Sequence, residues 1–172
     1  MRIKVLIIAA VLFVEMQIAA FAIEPVNIIV DQPDAPLRIT AYEASFKESS
    51  RYEREGIHHT VKLVNDSERT IVAVEIGLVS FSIWNEFIDG CFGISLDQIE
   101  PEGADKGTWV ATALSDFTFL TGVAYVNRVR FENGEIWEAD IKNVLSVLTA
   151  IQEGVEAEDI LPGSALKSDT EE

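Results

Sequence analysis

The most informative part of the sequence is residues 122–141, GVAYVNRVRFENGEIWEADI, in which two apolar runs flank Glu132-Asn133-Gly134. Asn-Gly between alternating apolar residues is a strong signal for a β-hairpin. A two-residue turn at Asn133-Gly134 would put charged residues on the apolar face. A three-residue loop with Gly134 in the left-handed region instead pairs Val129 with Trp137. Because a one-residue slip moves every side chain to the other face, burial favours the three-residue loop.

The same register has two further consequences for the hairpin. It sets Arg128 opposite Glu138 and Tyr125 opposite Ile141. An exposed cross-strand ion pair adds only about 0.2–1 kcal/mol, whereas burial of Trp137 and its neighbour stabilises several-fold more. Packing therefore decides the register, and the ion pair follows from it.

Four apolar runs that read as strands precede the hairpin: residues 26–30, 37–46, 57–64 and 70–84. The polar segment 47–56 is expected to be an exposed loop, and Asn65-Asp66-Ser67-Glu68 supplies turn residues. The run 70–84 is apolar on both faces, and its inward face is expected to switch near Gly77. This pattern indicates either a bulge or a buried central strand.

A single helix follows the hairpin. Asn143 is placed to cap it and Gly154 to end it. One stripe of the helix is apolar and consists of Val144, Leu145, Val147, Leu148 and Ile151. We expect the stripe to dock on the sheet of its own chain, the alternative being a surface for a partner or a second copy.

The length and composition bound the fold class. The chain has 172 residues, of which 48% are apolar, so it allows one domain with a sizeable core. Short strands separated by turn residues predict a mainly β, antiparallel β-sandwich with one C-terminal amphipathic helix, over residues 23–152. Residues 153–172 are rich in acidic side chains and are expected to form a flexible acidic tail.

The first 22 residues have the features of a secretory signal peptide. Arg2 and Lys4 precede an apolar run, and Ala20-Phe21-Ala22 supplies small residues before a cleavage site. The alternative is an uncleaved anchor helix, which Glu15 and Gln17 disfavour because they interrupt the apolar run. We therefore expect export to the periplasm or medium of a bacterium, as a soluble mature protein.

The charge and the single cysteine exclude several function classes. The formal net charge is −16, from 13 basic and 29 acidic residues, which argues against binding the phosphates of nucleic acid. Cys91 alone cannot form an internal disulfide or a multi-cysteine zinc site, and we expect it to be a small buried apolar residue. No phosphate-binding glycine motif occurs, so no cofactor is predicted.

Part of the chain resembles a known class of module. The similarity lies within residues 60–139 and rests on three short segments, Val61-Lys62-Leu63-Val64-Asn65, Ile99-Glu100-Pro101-Glu102-Gly103 and Phe131-Glu132-Asn133-Gly134. They resemble the immunoglobulin-like sandwich modules of secreted bacterial proteins, including the FxLYD type. The aromatic-Leu-Tyr-Asp signature is replaced by Phe81-Ser82-Ile83-Trp84, and the C-terminal helix is an addition. The resemblance implies an immunoglobulin-like sandwich that acts as a binding module or as a spacer, without catalytic activity.

Few residues suggest catalysis or metal binding. His58 and His59 are adjacent, and on a strand their side chains point to opposite faces, so they cannot converge on one metal ion. Ser80 or Ser115 with a histidine and an aspartate would make a hydrolase triad, but the GxSxG motif is absent. Glu135, Glu138 and Asp140 flank Trp137, as at a carbohydrate site, although the preferred register turns Glu138 and Asp140 away from the indole.

These observations favour an exported, non-enzymatic binding module, with no catalytic, cofactor-binding or metal residues assigned. Segments 47–56 and 85–107 are the predicted contact surfaces, because loops are the usual place for recognition. The alternatives are a secreted hydrolase or carbohydrate-binding protein that uses Trp84 or Trp109 beside carboxylates, and a structural spacer. The identity of a protein or surface partner is not predicted, and neither is the oligomeric state.

Overall fold

The computed structural model describes residues 24–111 and 118–160. Within these residues the chain forms eight strands and two helices. The strands are β1 (Val26–Ile29), β2 (Leu37–Lys47), β3 (Gly56–Asn65), β4 (Ile71–Ser82), β5 (Phe87–Ser95), β6 (Ala104–Ala111), β7 (Phe119–Phe131) and β8 (Ile136–Glu138), and the helices are α1 (Ile141–Ile151) and α2 (Ala157–Ile160). Residues 48–55 form an exposed connection between β2 and β3, as predicted, whereas Lys47 ends β2 and Gly56 begins β3.

The strands form two sheets. One sheet has the order β1-β7-β4-β5, with β8 also pairing with β7, and the other has the order β2-β3-β6. A large apolar core, which includes Leu37, Val61, Leu63 and Ile76, joins the sheets. The predicted mainly β sandwich is confirmed. One strand pair departs from the antiparallel expectation, because β1 runs parallel to β7.

Strand β4 is buried on both faces. Val74, Ile76 and Leu78 pack in the core between the sheets. Val79 and Phe81 belong to a second apolar cluster, which the helices cover. The alternation continues past Gly77, so the run is a buried central strand, and its pairing with β7 also has an irregularity between Glu75 and Ile76. The expected switch of the inward face does not occur.

The hairpin has the predicted register over its first pairs. Val129 pairs with Trp137, Arg128 pairs with Glu138, and Gly134 has a φ of 87° in the three-residue loop. The predicted pairing of Tyr125 with residue 141 is wrong, because β8 ends at residue 138. Beyond that point β1 occupies the same edge of β7 through residues 121–124, so the hairpin cannot continue.

Asp140 caps α1, and the prediction of Asn143 as the cap is wrong. The Asp140 carboxylate accepts a hydrogen bond from the backbone N–H of Lys142 at 3.0 Å. The Asn143 amide instead donates to the carbonyl of Asp31. Both residue types cap helices well, and the early end of β8 starts the helix three residues sooner than predicted. No helix in the described part of the chain is long and apolar enough to cross a membrane.

The apolar stripe of α1 packs against its own sheet, as expected. Val144 and Leu148 are fully buried against Val79 and Phe81 of β4 and Tyr125 of β7. The stripe therefore closes the outer face of the five-stranded sheet over part of its area.

The prediction that residues 153–160 begin a flexible tail is wrong. Val155 and Ile160 are buried in the cluster beneath α1, and α2 packs against β5 near Gly90. The acidic composition of this segment led to the prediction of a tail, although the segment contains these two apolar side chains. The predicted signal peptide at 1–22 and the remaining tail residues, 161–172, lie outside the described residues.

Gly77 is the position in β4 where added volume should be tolerated least. A Cβ at Gly77 would overlap the ring of Tyr125, which lies directly across the strand pair. Gly77→Ala is expected to lower the free energy of unfolding by about 3 kcal/mol, since overpacking a dense core forces backbone and side-chain shifts. Urea denaturation measures the change.

The matched control is Gly154→Ala. Gly154 has a φ of 88° and no atom within 4 Å of a Cβ, so only backbone strain is added. That cost is about 1 kcal/mol. Equal losses in the two variants would contradict the close packing of Tyr125 over β4.

Candidate functional site

The two adjacent histidines lie apart, as the strand alternation predicts. The His58 Nε2 atom lies 2.8 Å from the carbonyl oxygen of Arg54. His59 is fully buried, and its Nδ1 atom lies 2.9 Å from the hydroxyl of Tyr42. Within residues 24–111 and 118–160, no three His, Cys, Asp or Glu side chains are grouped to hold a metal ion.

The residues considered for a hydrolase triad are not brought together. Ser80 is buried in β4, and Ser115 lies outside the described residues. The hydrogen-bond partners of the two histidines are a backbone carbonyl and a tyrosine, not a serine or a carboxylate.

The three tryptophans differ in exposure. Trp84, in the turn after β4, is 71% exposed. Trp109 lies over Gly93 and Gly107 and donates from Nε1 to a backbone oxygen of β5. Trp137 packs half-buried against the core, while Glu138 is on the opposite, outer face. The carbohydrate alternative therefore depends on Trp84.

Cys91 has the environment of a packing residue. It lies half-buried beside the main core cluster, in register with Leu78 of β4. Burial, with a smaller effect of the Asp89 charge, raises the pKa of the Cys91 thiol to about 12. The thiolate is the reactive form of cysteine, so this thiol is unreactive at neutral pH.

A buried polar pair lies inside the sandwich. The Tyr42 and His59 rings are stacked, with 6.0 Å between centroids, and the second ring nitrogen of His59 has no hydrogen-bond partner in the structure. Burial, with a smaller effect of the His58 charge, lowers the pKa of His59 to about 4. The ring is thus neutral under ordinary conditions, and the pair contributes to packing and is closed to solvent.

One of the two predicted contact segments differs from expectation. Segment 85–107 is not a recognition loop, because most of it forms β5 and the start of β6. It nevertheless contributes an exposed apolar side chain, Ile94, to the outer face of the five-stranded sheet.

Ile94 borders a shallow depression in the part of this face that the helices leave uncovered. We call it the outer groove. Its volume is about 170 Å³, and its lining is formed by Ala73, Val74, Glu75, Ile94, Arg128, Val129, Arg130 and Ile136. These residues come from β4, β5, β7 and β8. Ile94 is 58% exposed and Ile136 is 51% exposed, so the groove presents apolar surface to solvent.

One row of side chains across the groove is an ion-pair network. Arg128 lies between Glu75 and Glu138 in the strand register. Its guanidinium donates to both carboxylate oxygens of Glu75, at 3.0 and 2.6 Å, and Asn127 donates to the same carboxylate. Burial acts to raise the pKa of Glu75, but these hydrogen bonds outweigh it and hold the pKa below its ordinary value.

The neighbouring row contains a cation without a carboxylate partner. Arg130 lies between Ala73 of β4 and Ile136 of β8 in the register. Arg38, Lys47, Arg69 and Arg128 form ion pairs with acidic side chains, whereas Arg130 forms none among the described residues. The outer groove thus has an apolar floor, and beside it lies the guanidinium of Arg130, which forms no ion pair with a described residue.

Sequence reasoning missed the outer groove as a site. The hairpin register does place Arg130 beside Ile136, which was the available signal. Ala73 and Ile94 become their neighbours only through the pairing of β4 with β7 and β5, and no local pattern reports that pairing.

The comparisons with known proteins bear on the fold. No protein-family model and no curated protein matches the chain. A hypothetical protein from Peptoclostridium difficile 630 superposes with a TM-score of 0.52 at 10% identity, over 68% of this chain and 93% of that one. A Northeast Structural Genomics Consortium target gives a TM-score of 0.42 at 18% identity, over 60% of this chain and 80% of its own. The first similarity shows a shared fold alone.

His59 should make the fold sensitive to acid. Because its folded pKa is about 4, below the ordinary 6.5, the unfolded chain binds a proton that the folded chain does not as pH falls below 6.5. This term is absent above pH 6.5 and reaches about 3 kcal/mol of lost stability below pH 4. His59→Gln should remove it. Unfolding in urea at several pH values gives the comparison, with His58→Gln as control, and parallel curves for wild type and His59→Gln would refute the assignment.

The Glu75 network should stabilise the sheet at neutral pH. Glu75→Gln is expected to lower the free energy of unfolding at pH 7 by about 1–2 kcal/mol, because Arg128 loses a charged acceptor. Since the folded pKa is lowered, the contribution is present above the ordinary value and is lost as pH falls through the folded pKa. A difference between variant and wild type that stays constant from pH 7 to pH 3 would contradict this.

Proposed function

We propose that the protein is an exported, non-enzymatic binding module that contacts another protein through the outer groove. The observation that supports this most is the groove itself, where exposed apolar side chains surround an arginine that has no acidic partner in the described part of the chain. Arginine is among the residue types enriched at the energetically dominant positions of protein interfaces, which lie in small pockets that become desolvated on binding.

The size of the groove favours a protein partner over a small molecule. Ligand pockets usually have volumes of about 300–1,000 Å³ and enclose most of the ligand. The outer groove, at about 170 Å³ and open to solvent, has room for one apolar side chain of a partner. The remaining contact would come from the flat sheet surface around it.

Export is the second part of the proposal, and it is supported by the sequence of residues 1–22. The positive residues, the apolar run and the small residues before residue 23 are those of a signal peptide. A partner would then be a periplasmic, secreted or surface protein.

Site-specific photocrosslinking tests the proposed surface. The full chain, expressed in its own host, carries a benzophenone amino acid in place of Ile136 in the groove or in place of Lys62 on the exposed face of the other sheet. Irradiation is expected to give a covalent adduct of one discrete mass from position 136. Ala73→Arg, which fills the groove, should lower its yield at least about fivefold.

The control position separates the alternatives. No adduct from position 136, or equal adducts from positions 136 and 62, would contradict the outer groove as the binding surface. A structural spacer predicts no adduct from either position. A carbohydrate-binding protein predicts none from position 136 and a loss of glycan binding in Trp84→Ala.

A further inference from the structure

We infer that the outer groove recognises a peptide segment that offers an apolar side chain and, two residues along, a carboxylate, and that Arg130 binds this carboxylate. The inference rests on the proposed function and adds the chemistry of the partner. It follows from the difference between the two arginines of the groove.

Arg128 has acidic partners, whereas Arg130 has none among the residues that the structure describes. The Arg128 guanidinium donates to both oxygens of Glu75 and also faces Glu138, so its charge is matched within the sheet. Arg130 has Ala73 and Ile136 as its cross-strand neighbours. Arg130 is therefore flanked by apolar side chains. Its guanidinium offers parallel N–H donors, which pair with the two oxygens of a planar carboxylate.

The apolar part of the segment has a defined place beside this cation. Ala73 is the small residue of the groove lining, and the exposed Ile94 and Ile136 lie on the strands at its two edges, β5 and β8. Neighbouring strands are about 4.8 Å apart, and same-face residues of an extended chain are about 6.6 Å apart. An extended segment can therefore set a leucine over Ala73 and a carboxylate from position i+2 beside Arg130.

The overall charge of the chain makes this local recognition selective. A formal net charge of −16 repels anionic molecules at long range. An acidic group gains binding free energy from Arg130 only when the apolar contact of the same segment places it there. We therefore expect neither the carboxylate nor the apolar side chain to bind well by itself.

The test uses two tripeptides that differ only in charge. The probes are acetyl-Leu-Ala-Asp-amide and its control acetyl-Leu-Ala-Asn-amide, titrated into the full chain labelled with ¹⁵N. Backbone amide shifts should move at Ala73, Ile94, Arg130 and Ile136, with a Kd for the Asp peptide of order 1 mM. The Asn peptide should bind about fivefold more weakly, because it loses the charge-assisted hydrogen bonds.

Variants assign the effect to one residue. Arg130→Gln is expected to give both peptides the affinity of the Asn peptide, whereas Lys62→Gln, which removes a cation from the other sheet, should leave both unchanged. Arg130 is exposed, so its variant should keep the fold, which the unperturbed amide shifts check. Ala73→Leu should weaken both peptides by filling the floor.

The results distinguish this inference from the proposed function. Equal binding of the two peptides, no change in Arg130→Gln, or no shifts in the groove would overturn the carboxylate preference. The crosslink from position 136 would be unaffected by any of these, so a groove that binds a protein of other chemistry would still be recognised. An absent crosslink would remove the proposed function itself.

Discussion

Strand β4 is buried on both faces, and the placement of the second sheet and of the helices follows from this burial. A strand with Ile76 and Leu78 on one side and Val79 and Phe81 on the other must be covered twice. The three-stranded sheet covers the first side and forms the main core. Helices α1 and α2 cover the second, which explains why a sandwich of this size carries a C-terminal helix and why Ile160 is buried. Gly77 leaves the space that the Tyr125 ring occupies on that second side.

The cover on the second face is incomplete, and this creates the candidate site. Helices α1 and α2 shield the end of β4 around Val79 and Phe81, while Ala73 and Glu75 at the other end remain beneath the outer groove. Glu75 is stabilised there by Arg128 and Asn127, so a buried carboxylate is matched inside the sheet. Arg130 has no acidic partner within residues 24–111 and 118–160, and this difference between two arginines on one strand gives the groove its chemical character.

Local sequence patterns predicted much of the architecture, because side chains alternate with a period of two along a strand. Alternation identified β1 to β4 and the hairpin strands but not β5 and β6, the Asn133-Gly134 pair identified the turn, and burial of Trp137 selected the hairpin register. The prediction failed where a distant segment intervened: β1 takes the edge of β7 that the hairpin would have used. The helix cap moved to Asp140 for the same reason. Residues 153–160 were mistaken for tail because their acidic composition outweighed Val155 and Ile160.

Local sequence was enough to predict which residues alternate, where the hairpin turns and which helix face is apolar, because these features follow from neighbours a few positions apart. It also determined that His58 and His59 diverge. Only the tertiary structure decided that β4 lies between β5 and β7, and hence that Ala73, Ile94, Arg130 and Ile136 share one surface. A row of side chains across a sheet depends on the pairing of strands distant in sequence. That pairing is set by the joint burial of two cores, which no short stretch of sequence contains.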